Sequence, residues 1–203
     1  LRTRCGAALL LTSFTPPAPD ARPLLADDDG VAWLQPDHAL HRFFFAAMSS
    51  ARRRIWITTP YFVPDEPIMT ALGTARARGV DVRIILPRAG DSWFVTTAAS
   101  TFAEEIMHEG VAVYEYTPRM IHAKTIVIDD ELSIVGTANM DNRSFRLNFE
   151  VVAAIYDTGV TAELAAIFLK DQAAAELLRP DDGRETFLER LVASAARLAA
   201  PLL

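Results

Sequence analysis

From residue 36 onward, short apolar runs alternate with longer amphipathic stretches. Residues 37–53 are Ala-rich, carry Phe43, Phe44 and Phe45, and end in Arg52, Arg53 and Arg54. They predict a helix with a basic last turn, where cations meet the negative pole of the helix. Residues 55–59 form a β-prone run stopped by Pro60, and Pro67 opens a helix that Gly79 ends. Residues 82–86 read as a second buried strand before Pro87, residues 92–109 as a helix closed by Gly110, and residues 111–116 as a third strand. This β–α–β–α–β alternation predicts an α/β fold with a mixed, largely parallel sheet sandwiched between helices. Three strands then follow at 121–129, 132–138 and 148–156, the first two pairing as a hairpin about an Asp130–Glu131 turn. Residues 160–179 and 184–199 predict two closing helices, divided by Pro180 and Gly183.

Residues 1–35 lack this regularity. They hold Pro16, Pro17, Pro19, Pro23 and an Asp run at 27–29, and are expected as an irregular tail or linker remnant. That leaves 36–203 as one domain, and a hydrophobic content of 51% supplies it with a substantial core. Arg2 and Arg4 ahead of 7–11 faintly imitate a signal peptide, but the apolar run is brief. A net charge of −6 argues against wholesale nucleic-acid binding. Cys5 is the one cysteine, so no internal disulfide forms and a reduced compartment is the natural expectation. No run approaches the roughly 20 apolar residues of a membrane-spanning helix. His38 and His41, three apart on a helix without a nearby cysteine, read as surface positions and not as metal ligands.

Chemistry concentrates in 121–150, IHAKTIVIDDELSIVGTANMDNRSFRLNFE. Side chains alternate along a strand, so His122 and Lys124 share a face, whereas Asp129, at an odd spacing, falls on the other. Thr137 and Asn139 share a face at the end of the next strand, and Glu150 lies on the third. A hairpin and its neighbour therefore bring His122, Lys124, Asn139 and Glu150 together. These groups suit a phosphodiester. A neutral imidazole attacks phosphorus and splits one hard displacement into two easier ones. Lys124 and the Asn139 amide donate to the non-bridging oxygens, and removing one such donor costs about 10²–10³ in rate. Glu150 accepts from one ring nitrogen of His122 and leaves the other aimed at substrate. With 4 His in the chain and Lys124 one of only two lysines, a chance H-x-K-x4-D match has a probability of roughly 0.003.

The segment resembles the signature of the phospholipase D superfamily, H-x-K-x4-D-x6-G-[ST]-x-N, with His122, Lys124, Asp129, Gly136, Thr137 and Asn139 in place. Within it, TPYFVPDE (59–66), GVDVRIILP (79–87), GVAVYEY (110–116), NMDNRSFRLNFE (139–150) and the final PLL are similar to bacterial cardiolipin synthases. The resemblance covers about 36–203 and implies a phospholipase D-like catalytic domain. His122 would then be nucleophile or general acid, Lys124, Thr137 and Asn139 would bind phosphate, and Glu150 would hydrogen-bond the histidine. Asp129, the third residue of the motif's catalytic set, would stabilise the local fold. No metal or other cofactor is implied.

The implied reaction joins two phosphatidylglycerols into cardiolipin through a phosphohistidine, the second supplying its glycerol-type hydroxyl as acceptor. The implied setting is the surface of the bacterial cytoplasmic membrane, held peripherally or through an N-terminal anchor. Tyr61, Phe62, Trp93 and Phe94 near the mouth of the site either meet lipid or pack the core. Synthases of this type carry two such motifs, and this sequence has one, similar to their second half. The second motif-bearing half is therefore expected in cis or from a homodimer. The alternatives are a single-motif nuclease or phosphodiesterase acting as a homodimer, and an inactive module lacking its partner half.

Overall fold

The computed structural model describes residues 7–12, 31–34, 39–88 and 93–180. In chain order its elements are β1 (Ala7–Thr12), β2 (Val31–Leu34), α1 (Ala39–Ser50), β3 (Arg54–Thr58), β4 (Phe62–Val63), α2 (Glu66–Ala77), β5 (Asp81–Pro87), α3 (Trp93–His108) and β6 (Ala112–Tyr116). They continue with β7 (Thr125–Ile128), β8 (Leu132–Gly136), β9 (Met140–Asp141), α4 (Asn142–Arg146), β10 (Val151–Tyr156), α5 (Thr158–Ala173) and β11 (Ala175–Leu177). The main sheet has the order β11-β6-β5-β3-β7-β8-β10-β1-β2, and β4 and β9 form a separate small ladder.

Strand alternation sorts the core into two layers, as a period of two requires. Ile55, Ile57, Val82, Ile84, Ile126, Ile128 and Ile134 point into the layer covered by α1, α2 and α3. Trp56, Ile85 and Val127 point the other way, against Ala165 and Phe168 of α5. Trp56 stacks on Phe168 with ring centroids 5.1 Å apart, while the Arg54 and Arg83 guanidiniums lie 4.6 and 5.0 Å from its ring. Helices thus cover both faces, as the sequence predicts.

The sheet is mixed but mostly antiparallel, which corrects the largely parallel expectation. β3, β5 and β6 are parallel to one another through the α2 and α3 crossovers, and β1 is parallel to β2. The β3–β7, β7–β8, β8–β10, β10–β1 and β11–β6 pairs are antiparallel. No helix lies between β6 and β7, only residues 117–124. A connection that leaves and re-enters the sheet at one edge must reverse the strand direction.

Other boundaries move as well. Residues 7–12 and 31–34 are strands, so the irregular-tail reading of 1–35 fails there: β1 pairs with β10 over six positions and buries Leu11. Four or six residues are too short to reveal a period amid proline. α1 stops at Ser50, and Arg54 opens β3, so the three arginines do not form a basic last turn. The predicted 160–179 helix starts at Thr158, ends at Ala173 and gives way to β11. The predicted helix 184–199 lies outside the described residues. Among the described residues, no helix is long and apolar enough to cross a membrane.

Candidate active site

Three loops leave the same edge of the sheet. Residues 59–65 follow β3, 117–124 enter β7, and 137–150 join β8 to β10. Thr58 faces Thr125 across β3–β7, and the Gly136 amide donates to the Lys124 carbonyl at 3.2 Å, so the three loops start side by side. The edge lies at the carboxyl ends of the parallel strands β3, β5 and β6, where open α/β sheets collect their ligands. The β4–β9 ladder, Phe62 with Met140 and Val63 with Asp141, ties the first loop to the third.

His122 and Lys124 lie in the loop before β7, not on the strand that the sequence predicts for 121–129. They meet all the same. Lys124 Nζ lies 3.1 Å from His122 Nδ1 and 3.2 Å from Nε2, and it donates to the His122 carbonyl at 3.0 Å. The imidazole is exposed, while Lys124 is half-buried. Burial lowers the lysine pKa below its usual 10.5, and the charges of Glu150 and Asp141 work against that shift, which places both carboxylates near the ammonium.

Glu150 precedes β10 rather than lying within it. Its Oε1 accepts from Ser144 Oγ and from Asn148 Nδ2, both at 3.1 Å. The Asn139 main-chain N–H donates to Ser144 Oγ at 3.0 Å, and the side-chain Oδ1 of Asn139 is buried without a partner. Asp141 caps α4 by accepting from the Ser144 amide at 2.7 Å. Burial pushes the Asp141 carboxyl up, helped by the nearby Glu150 charge and opposed by the bonds from Ser144 and from the Asn139 side chain. Sequence reasoning missed Asp141 and Ser144. A helix of five residues has no readable period, although an aspartate is a favoured residue at a helix N-cap.

The remaining motif residues hold backbone. Asp129 stands at the far end of β7 from Lys124, five residues and roughly 17 Å away by strand rise. It is a left-handed turn residue with φ 52°, one position inside a hairpin loop longer than the predicted Asp130–Glu131 turn. Its carboxylate accepts the amides of Arg52, Arg53 and Arg54 at 2.7–3.2 Å, and its carbonyl accepts from Arg54 Nε at 2.7 Å. The structure therefore separates it from the other members of the motif's catalytic set. Gly136 packs against β10 so closely that a Cβ there would lie 2.3 Å from the Val151 carbonyl oxygen. The Thr137 hydroxyl accepts from the Val151 amide at 3.0 Å and donates to its carbonyl at 3.4 Å.

The aromatic residues named from sequence divide. Phe62 is fully buried, and Tyr61 is half-buried in a groove with Pro60, Leu86 and Ala99. The side chains of Trp93 and Phe94 lie outside the described residues. Leu147 and Phe149, which sequence reasoning passed over, are 68% and 80% exposed beside Glu150. His41 is not a surface residue: its side chain is 12% exposed, it meets Phe145 edge-on at 5.3 Å, and Nε2 lies 2.9 and 3.0 Å from the Asp65 oxygens. His38 lies outside the described residues.

The family model described as "Cardiolipin synthase, PLD-like domain" matches residues 44–172, a span that holds every group just described around His122. The chain belongs to the phospholipase D superfamily. It is 42% identical over 169 residues to cardiolipin synthase A of Pseudomonas putida, covering 83% of this chain and 35% of that protein. It is 46% identical to a cardiolipin synthase of Geobacillus sp. (strain WCH70), covering 81% of this chain and 33% of that protein. The chain thus spans about a third of the length of these relatives. Its fold is similar to that of Nuc from Salmonella typhimurium, a phospholipase D family member, with a TM-score of 0.61, 22% identity, and coverage of 68% of this chain and 90% of that one. It is also similar to phosphatidylserine synthase of Haemophilus influenzae, with a TM-score of 0.64, 15% identity, and coverage of 81% and 45%. In this cardiolipin synthase-like domain the motif divides by place. His122, Lys124, Thr137 and Asn139 lie on the loops at the edge, while Asp129 and Gly136 fix the strands that carry those loops.

Proposed function

We propose that the chain carries one half of a phosphatidyl-transfer site that makes cardiolipin from phosphatidylglycerol through a phosphohistidine at His122. The contact of the Lys124 ammonium with both ring nitrogens of an exposed His122 carries this reading. An ammonium this close to the ring meets the non-bridging oxygens of any phosphorus that a ring nitrogen attacks. A ring nitrogen of His122 attacks the phosphorus of one phosphatidylglycerol, forming a P–N bond and breaking the P–O bond to glycerol. The departing glycerol oxygen takes a proton from an acid, a role for the second motif-bearing half, in cis or from a second copy. The hydroxyl of another phosphatidylglycerol then attacks, returns its proton to that group and breaks the P–N bond.

Lys124 and Asn139 bind the non-bridging oxygens in this scheme, and Glu150 holds the histidine. Thr137, whose hydroxyl clamps β10, contributes by fixing the loop that carries Asn139. Exposed Leu147 and Phe149, with the exposed arginines 143 and 146 on the same segment, suit an anionic phospholipid at a membrane surface. The sequence similarity to cardiolipin synthases supports the same substrate.

The test is cardiolipin formation from phosphatidylglycerol vesicles, with the chain expressed with and without its upstream genomic sequence, and with samples quenched in alkaline denaturant, where a P–N bond survives, searched for an adduct on His122. Turnover should fall to background in His122→Ala, and the adduct should disappear with it. Unchanged turnover in that variant overturns the mechanism.

A further inference from the structure

Ser144 is fully buried at the third position of α4, and its hydroxyl does not do what that position ordinarily asks. In a capping box the side chain at this position turns back to the amide of the capping residue, here Asp141. Ser144 Oγ instead accepts from the main-chain N–H of Asn139, two residues farther back, and donates its one hydrogen to Glu150 Oε1, at 3.0 and 3.1 Å. One hydroxyl therefore spans the loop that carries the phosphate-binding amide and the carboxylate assigned to the histidine. The Asp141 cap, at 2.7 Å, fixes the Ser144 main chain in turn. A buried hydroxyl used as donor and acceptor at once has no freedom to rotate, so its two partners are held in one geometry.

We propose that Ser144 is a positioning residue: its hydroxyl locks the Glu150 carboxylate and the Asn139 main chain into one rigid unit beside the His122–Lys124 pair. The inference rests on the phosphoryl-transfer reading of that pair. Ser144 touches no substrate, and its effect passes through Glu150. With Ser144 lost, Glu150 keeps the Asn148 amide, and its carboxylate spreads over more rotamers.

The test is the tautomer of the His122 imidazole, read from its two nitrogen-15 chemical shifts in the wild-type chain, Glu150→Gln, Ser144→Ala and Ser144→Cys, with a thermal melt of each. A carboxylate that accepts from one ring nitrogen holds the proton there, so Glu150→Gln should redistribute the two ring signals. Both Ser144 variants should move them in the same direction by a smaller amount, and where turnover is measured kcat should fall about tenfold with KM unchanged. Cysteine keeps the volume and has a weak donor, so it carries the test if the alanine variant fails to fold. Wild-type ring signals in the folded Ser144 variants, with Glu150→Gln displaced, overturn the positioning role and leave Ser144 a cap residue. Wild-type ring signals in Glu150→Gln itself overturn the assignment of Glu150 to His122, and the proposal falls with it.

Discussion

Asp65 and Asp141 are half-buried and buried carboxylates at helix N-caps, yet their surroundings drive them in opposite directions. Burial pushes Asp65 up, but His41, the Ile68 amide and Arg146 more than offset it and hold the carboxyl below 3.8. Asp141 forms no ion pair among the described residues and stays above 3.8, with burial the largest cause. The linkage follows from which state binds the proton. Asp65 adds stability above the unfolded pKa, and this is lost as pH falls through 3.8 toward its folded value. Asp141 has the reverse sign: its ionisation penalises the folded state increasingly as pH rises past 3.8. Asparagine retains a capping oxygen at either position. In urea denaturation, Asp65→Asn should therefore cost about 1–3 kcal/mol at pH 7, with the loss shrinking below pH 3.8. Asp141→Asn should move toward relative stabilisation as pH rises over the same range. Equal effects of either substitution at both pH values contradict the assignment. The sequence exposes neither environment, because both depend on what packs above the cap.

At the scale of elements, the closest constraint is the approach of β10 to β8. Any side chain at position 136 meets backbone: a Cβ would lie 2.3 Å from the Val151 oxygen and 2.7 Å from Val152 Cα. Backbone cannot swing aside as a flexible side chain does. Gly136→Ala should then cost about 3 kcal/mol, the upper end for overpacking, and a drop in thermal midpoint with weaker amide protection across β8–β10 would register it. An unchanged midpoint would mean that the two strands part at little cost. The same pair shows what a period reveals. The apolar runs of β7 and β8 are plain in sequence, but the strand predicted from residue 148 begins at Val151, where Asn148 and Glu150 bond to each other in the loop instead of extending the strand. α4 and β9 are too short for any periodic signal, yet they carry Asp141 and Ser144.

At the scale of the whole molecule, an acidic chain carries a small basic segment beside its site, Arg143 and Arg146 against a net charge of −6. Non-specific DNA affinity rests on neutralising many phosphates, and such a balance does not provide it. Fluorescence anisotropy with duplex DNA at about 150 mM salt should show no saturable binding below about 100 µM, the weak end of ordinary non-specific association. Saturable binding in the low micromolar range would favour the nuclease reading over phosphatidyl transfer.

By itself the sequence determined the α/β layering and the residues of the motif. Hydrophobic period is a local property, and the spacing of His122, Lys124 and Asn139 survives whatever the loops do. Tertiary structure decided the strand directions, because those depend on whether a connection crosses the sheet or returns at the same edge. It also decided the division of labour within the motif. Lys124 reaches His122 from a loop and not along a strand, Asp129 binds three amides about one strand length away, and Ser144 joins Asn139 to Glu150. Such contacts span residues that no local pattern relates, so only the folded chain brings them together.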